Sequence, residues 1–191
     1  MGDLEERSTA VERAYRDHAP DLYRLAIGIL RDHDAATDAT QVAFARAYER
    51  WGQYDKARPI LPWLHGIVAH EALDSLRRRR VRWIAATAVA ERESVGPRAA
   101  DLDVATQVAE RAALDAALAQ LKPIARAAIL LRHLYGYDYA EIGQLLGTSQ
   151  GNVGALLSRA HATLRELLSK TELNPNPPGT RTSATRLEEP R

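Results

Sequence analysis

Trp51, Tyr54 and Trp63 flank a short proline-containing stretch, and the arginines Arg77 to Arg80 and Arg82 follow on the next segment. That combination suits an opened nucleic-acid strand. An unstacked base needs an aromatic platform, worth ~1–3 kcal/mol per base, and guanidinium groups grip phosphates in a bidentate fork. Arg77 and Arg78 at the basic end are the groups best placed to hold such a strand. A second set lies far downstream. Gln150, Asn152, Ser158 and Arg159 can read base edges or hold phosphates, while Gly154 and Ala155 are small enough to let a helix approach a groove. The plain alternative is that the two tryptophans belong to a core, Trp63 above all, and that the arginines are a solvated helix end.

Covalent chemistry finds no support. The chain has no cysteine, which removes disulfides, thiolate metal sites and a thiol nucleophile and fits a reducing cytoplasm. Its six histidines show no ligand spacing, and His70-Glu71 lacks a second histidine four residues on. Gly147 to Gly154 is glycine-rich but carries no Gly-Lys-Ser/Thr, and no Gly-x-Ser-x-Gly elbow occurs. We expect a non-enzyme that uses neither metal nor cofactor. The formal net charge of +1 gives no bulk attraction to nucleic acid, so the local arginine cluster has to carry it. No apolar run approaches the ~20 residues of a membrane span, so no membrane insertion is expected.

These groups must be held by helices, because the 191 residues lack the alternation of strands. The fold class expected is all-α, with two small domains. Helices are predicted over Thr9–His18, Pro20–Arg31 (proline costs nothing in a first turn), Asp34–Trp51 and Pro62–Trp83. In the third of them, Val42, Ala45 and Tyr48 continue the apolar stripe and Phe44 is buried. The aromatic-flanked loop spans Gly52 to Pro62. A first domain is therefore expected over residues 1–88. Residues 89–105, around Ala90–Asp103, lack periodicity and read as a flexible linker. A second domain comes next, over 106–170, with helices Val108–Leu121 and Pro123–Tyr135 before the last pair. The tail, 171–191, is rich in Pro, Asn, Thr and Ser and reads as disordered.

That last pair has a helix-turn-helix pattern. Ile142, Leu145 and Leu146 face inward on the helix from Asp138, and Gly143 leaves room for a neighbouring helix to cross closely. Gly147 stands where a left-handed residue is needed, and Ser149 can cap the helix that starts at Gln150. Val153, Leu157, Ala160, Leu164 and Leu168 form a buried stripe on that helix. Taken alone, the segment also fits an ordinary helical hairpin whose glycine is a mere cap. Asp38 and Gln41 share one helix face upstream of Phe44 and could dock a basic partner helix, or simply be solvated.

Both domains together resemble the extracytoplasmic-function family of bacterial RNA polymerase sigma factors. In the first domain the matching residues are Leu22 to Ala26, Asp38 with Gln41 and Phe44, Trp63 to Ile67, and Ala72-Leu73-Asp74 through Arg78. In the second they are Leu121, Arg126, Glu141-Ile142, Leu146 to Ser149, Gly151 to Val153 and Arg159-Ala160. The resemblance covers roughly residues 10–170 apart from the linker. It implies that Asp38, Gln41 and Val42 grip the clamp of the largest subunit of core RNA polymerase. It implies that the loop from Tyr54, with Asp55, Lys56 and Arg58, captures a flipped base of a promoter's minus-ten motif, and that the helix ending at Arg80, with His70, Arg77 and Arg78, tracks the melted strand. Gln150 to Arg159 would be the recognition helix for the minus-thirty-five motif, and an anti-sigma factor is a further candidate partner. Several positions depart from the family's pattern. Val42 replaces an acidic residue, Ala69-His70 an Arg-Asn pair, Gly154 to Leu156 a basic-Ser-Arg run, and His161 an arginine. From the last two, minus-thirty-five binding is expected to be weak, altered or dependent on other contacts. Two other readings remain: a helix-turn-helix regulator that binds DNA alone, and a degenerate sigma-like protein that acts mainly by binding other proteins.

Overall fold

The computed structural model describes residues 2–87 and 105–172. The expected linker and the tail beyond Glu172 lie outside the described residues. Seven α-helices occur among them, α1 (Gly2–Leu30), α2 (His33–Glu49), α3 (Ile60–Thr87), α4 (Ala105–Ala119), α5 (Pro123–His133), α6 (Tyr139–Leu146) and α7 (Gln150–Glu172), with a single 3₁₀ turn at Trp51–Gln53 and no strand.

The first half is a three-helix unit in which α1, α2 and α3 all touch one another. Its core is lined by Leu22, Leu25 and Ile29 from α1, Ala36 and Phe44 from α2, and Leu64, Val68 and Ala72 from α3. The two helices expected on either side of Pro20 are one continuous helix with the proline inside. Proline there removes an intrahelical bond, at ~3 kcal/mol. Burial of Ala14 before it and of Leu22 and Leu25 after it, against the same neighbours, holds the two halves in line. On α2 the buried stripe runs through Ala35, Ala39, Ala43 and Ala47 with Phe44. Val42, expected to extend that stripe, is 40% exposed and lies on the opposite side. Asp32 caps α2 by accepting the Ala35 amide at 2.9 Å. That amide and the Arg79 guanidinium, 2.9 Å away, hold its carboxyl below the usual range.

The second half wraps α4, α5 and α6 around α7. Asp138 and Glu141 form a reciprocal capping box at the start of α6, with contacts of 2.8 and 2.7 Å. Gly147 ends α6 at φ 63°, ψ 39°, the left-handed geometry that glycine adopts without penalty. A side chain at Gly143 would meet the Thr148 carbonyl at 2.8 Å, so the close neighbour is the turn itself rather than a crossing helix. Ser149 Oγ accepts the Asn152 amide at 3.2 Å and so caps α7 as expected. Val153, Leu157 and Ala160 are buried. Arg126 is buried too and spends its guanidinium on the Leu118 carbonyl, 3.3 Å away.

The two halves share one continuous hydrophobic core. Helix α5 lies on α1, and α6 lies on α3.

Candidate nucleic-acid and polymerase interface

Three exposed faces carry the groups singled out from the sequence. The first is on α2. Asp38, Gln41 and Val42 are all exposed, one helical turn apart, because the alanine stripe occupies the other side of the helix. Asp38 and Val42 border a groove between α2 and α3 that also contains Asp34, Arg78, Arg79 and Arg82. Carboxylates of α2 and guanidinium groups of α3 line it together.

The second face surrounds the turn after α2. Tyr54 and Trp63 stack with centroids 5.0 Å apart and planes at 28°. Trp51 stands behind them, 5.3 Å from Tyr54 and 6.3 Å edge-on to Trp63. Trp51 is buried and its indole nitrogen finds no partner among the described residues, so it supports the stack rather than offering itself to a ligand. Trp63, read from sequence as a core candidate, is half-buried. The turn is organised locally. Asp55 accepts the Ala57 amide at 3.0 Å and pairs with Arg58 at 3.3 Å, and the Tyr54 hydroxyl donates to the Arg58 carbonyl. Lys56 reaches Glu6 of α1 at 2.6 Å. Exposed pairs of this kind contribute only ~0–1 kcal/mol, so Lys56 and Arg58 can turn to a phosphate at little cost. In the cleft beside the aromatics, Glu71 is buried and Arg46 pairs with its carboxylate at 2.7 Å. Arg77 and Arg78 are exposed further along α3, Arg77 with Asp74 at 2.9 Å.

The third face is the start of α7. Gln150, Asn152, Ala155, Ser158 and Arg159 are exposed. Asn152 donates its side-chain amide to Thr148 Oγ1 at 2.7 Å, which fixes its orientation. Gly154 is half-buried and lies against Tyr139, whose ring a β-carbon would meet at 3.7 Å. That is an ordinary van der Waals distance, so a small side chain would fit there. His161 packs edge-on against His133 of α5, with the two Nε2 atoms 2.9 Å apart. Burial, His133 and Arg165 together lower its pKa.

The sequence reading missed a fourth group. His65 on α3 is fully buried, its Nδ1 lies 2.8 Å from the Tyr137 hydroxyl, and its ring packs 4.1 Å from that of Tyr135. Burial pushes its pKa down to about 4, with His18 lowering it further and Asp21 opposing. Burial pushes both tyrosines up to about 12, so they remain protonated donors. The only hint in the sequence is the pair of tyrosines around Gly136, and nothing local to them points at His65.

Between the second face and α6 lies a cleft of about 660 Å³, bordered by Tyr54, Trp63 and His70 on one side and Tyr137, Glu141 and Leu145 on the other. No helix among the described residues is long and apolar enough to cross a membrane.

Comparison with known proteins places the two halves in order. A family described as sigma-70 region 2 matches residues 14–82, and one described as sigma-70, region 4 matches residues 111–164. The RNA polymerase sigma factor CarQ of Myxococcus xanthus is 34% identical over 165 residues, covering 86% of this chain and 92% of its own. The ECF RNA polymerase sigma factor SigM of Mycobacterium tuberculosis is 34% identical over 159 residues, covering 83% and 77%. Among solved structures, the sigma factor RpoE from Bartonella quintana, in complex with the anti-sigma factor NepR, superposes with a TM-score of 0.65 at 26% identity, over 83% of this chain and 96% of that one.

Proposed function

The chain belongs to the extracytoplasmic-function (ECF) type of sigma-70 factor, RNA polymerase sigma factors that direct transcription initiation, and from that premise we propose how its residues divide the work. A sigma factor binds core RNA polymerase and promoter DNA and catalyses no reaction of its own.

Asp38, Gln41 and Val42 form the docking surface for the polymerase clamp. The carboxylate and the amide offer polar contacts and Val42 an apolar one, in place of a further charge. The single observation that carries this is their shared exposure on a helix whose other side is wholly committed to the core.

The Tyr54–Trp63 stack is the minus-ten face. A base leaving the duplex slots against its open edge, Trp51 braces it from behind, and Lys56, Arg58, Arg77 and Arg78 hold the backbone, with Asp55 shaping the turn and His70 bordering the strand. Each stacked base contributes ~1–3 kcal/mol, enough to offset the unstacking of one step. The start of α7 enters the major groove of the minus-thirty-five motif, where Gln150 and Asn152 reach base edges and Ser158 and Arg159 hold phosphate, with Ala155 at the closest approach. Of these groups only Arg159 is a cation, so binding upstream is weak and polymerase-dependent.

The domain division runs along the same lines. Residues 1–88 act at the polymerase and the minus-ten motif, 106–170 act upstream, and 89–105 join them. An anti-sigma factor is proposed as a regulator, since the neighbouring sigma factor RpoE is held by one.

The test is the double variant Asp38→Ala, Gln41→Ala. Its affinity for core polymerase should fall at least tenfold, about 1.4 kcal/mol, while its helical content and thermal stability stay unchanged. Unchanged affinity would refute the docking assignment.

A further inference from the structure

Asn152 is exposed, yet its side chain is held in one orientation. The Nδ2 group donates to Thr148 Oγ1 at 2.7 Å. Both ends of that bond stand on fixed backbone. Ser149 Oγ accepts the Asn152 amide at 3.2 Å, and the Thr148 amide donates to the Gly143 carbonyl at 2.8 Å. The left-handed Gly147 and the close seat of the Thr148 carbonyl on Gly143 leave that turn little freedom. The space in front of the side chain is clear. Gly151 has open space around it, and Ala155, one turn on, ends at its β-carbon. Leu156 is buried, and Arg159, seven residues beyond Asn152 on the same side of α7, is assigned above to phosphate.

The anchor decides what this amide can read. One of its two N–H groups goes to Thr148. The Oδ1 acceptor and the second N–H are left side by side for a base edge. In the major groove adenine presents an acceptor at N7 and a donor at N6, which match that pair. Cytosine offers a donor at N4 and satisfies Oδ1 alone. Guanine and thymine set the oxygens O6 and O4 against Oδ1. We propose that Asn152, positioned by Thr148, reads one adenine of the upstream motif. The order of preference at that position is adenine, then cytosine, then guanine and thymine. Thr148 touches no base. It is a positioning residue, which disfavours the rotamer that would exchange the amide's oxygen and nitrogen and turn donors toward guanine. The inference rests on the minus-thirty-five reading above and adds the base that is selected and the residue pair that selects it.

The test uses the full-length chain bound to core RNA polymerase. Duplexes selected from a random upstream library define the motif, each position is then set to each base pair, and relative affinities are measured by competition at fixed salt. Wild type should prefer adenine at one position by at least about tenfold over guanine or thymine. Asn152→Ala should bring that position to within about twofold while the order of preference elsewhere is kept. Asn152→Asp, which has acceptors only, should shift the preference from adenine to cytosine. Thr148→Val should lose most of the preference at the same position, and Thr148→Ser, which keeps the acceptor, should retain it. A profile unchanged in Asn152→Ala removes Asn152 as the reader and leaves the minus-thirty-five assignment standing. If the position that Asn152→Ala flattens favours guanine or thymine in wild type, or if Thr148→Val keeps the wild-type profile, the orienting role of Thr148 is overturned. If wild type discriminates at no upstream position, the minus-thirty-five assignment falls and this inference with it.

Discussion

Acidification should separate the two halves through His65. With the halves packed together its imidazole is fully buried beside Tyr135 and Tyr137, with a pKa of about 4. Once the halves part, the ring meets water and returns to the ordinary histidine value of 6.5. Above pH 6.5 the ring is neutral in both forms and closure keeps its full strength. As pH falls from 6.5 toward 4, only the open form takes up a proton, and closure weakens by about 1.4 kcal/mol per pH unit. From pH 7.5 to 5.5 the closing equilibrium should therefore drop about tenfold. The neighbours that face the ring are Tyr135 and Tyr137, both held protonated, and Asp21 and His18 on α1, which pull in opposite directions. Dyes placed at two exposed positions, through Glu49→Cys and Ser169→Cys, report separation of the halves by energy transfer as urea is added. The free energy of separation should fall by about 1.4 kcal/mol between pH 7.5 and 5.5 in this background. His65→Phe keeps an aromatic ring against Tyr135 but has no proton to gain, so it should flatten most of that dependence. A wild-type response flat across the window, or one equally steep in His65→Phe, would refute the reasoning.

Three other contacts give further expected outcomes. Glu71→Ala leaves the Arg46 guanidinium without its partner; since that side chain is about one-third exposed (34%) and water can reach it, the loss should be about 2 kcal/mol, below the usual cost of a broken buried pair, read by urea denaturation. Asp138→Ala removes one arm of the α6 capping box and should cost about 1 kcal/mol, seen as a lower unfolding midpoint of the second domain. Arg159→Ala should weaken upstream promoter binding by the polymerase complex and reduce the slope of log affinity against log salt by about one; an unchanged slope would remove Arg159 from the phosphate contacts.

Local rules made the helix-turn-helix legible. Gly147 could be assigned a left-handed conformation, Ser149 a cap and Val153-Leu157-Ala160 a buried stripe because each rests on residues only a few positions apart. The same rules misjudged Pro20, where a permitted helix start was read as a required one and packing on both sides carried the helix through. They also put Val42 on the inner face of α2, although the continuous alanine stripe leaves no place for it there. The contact between the halves was not legible at all. His65 and Tyr137 are 72 residues apart, and neither the histidine within its apolar helix nor the Tyr-Gly-Tyr turn carries a periodicity that names a partner. Leu145 reads simply as a core residue, and which core it enters depends on how two domains meet.

The His65–Tyr137 contact joins residues 72 apart in the chain. A long loop must therefore close before the two halves meet, whereas α1, α2 and α3 meet through much shorter connections. The first half is expected to become ordered before the contact between the halves forms. Closure entropy grows only slowly with loop length, by about 0.6 kcal/mol per doubling. Residues inserted between α3 and α4 should therefore weaken that contact very little.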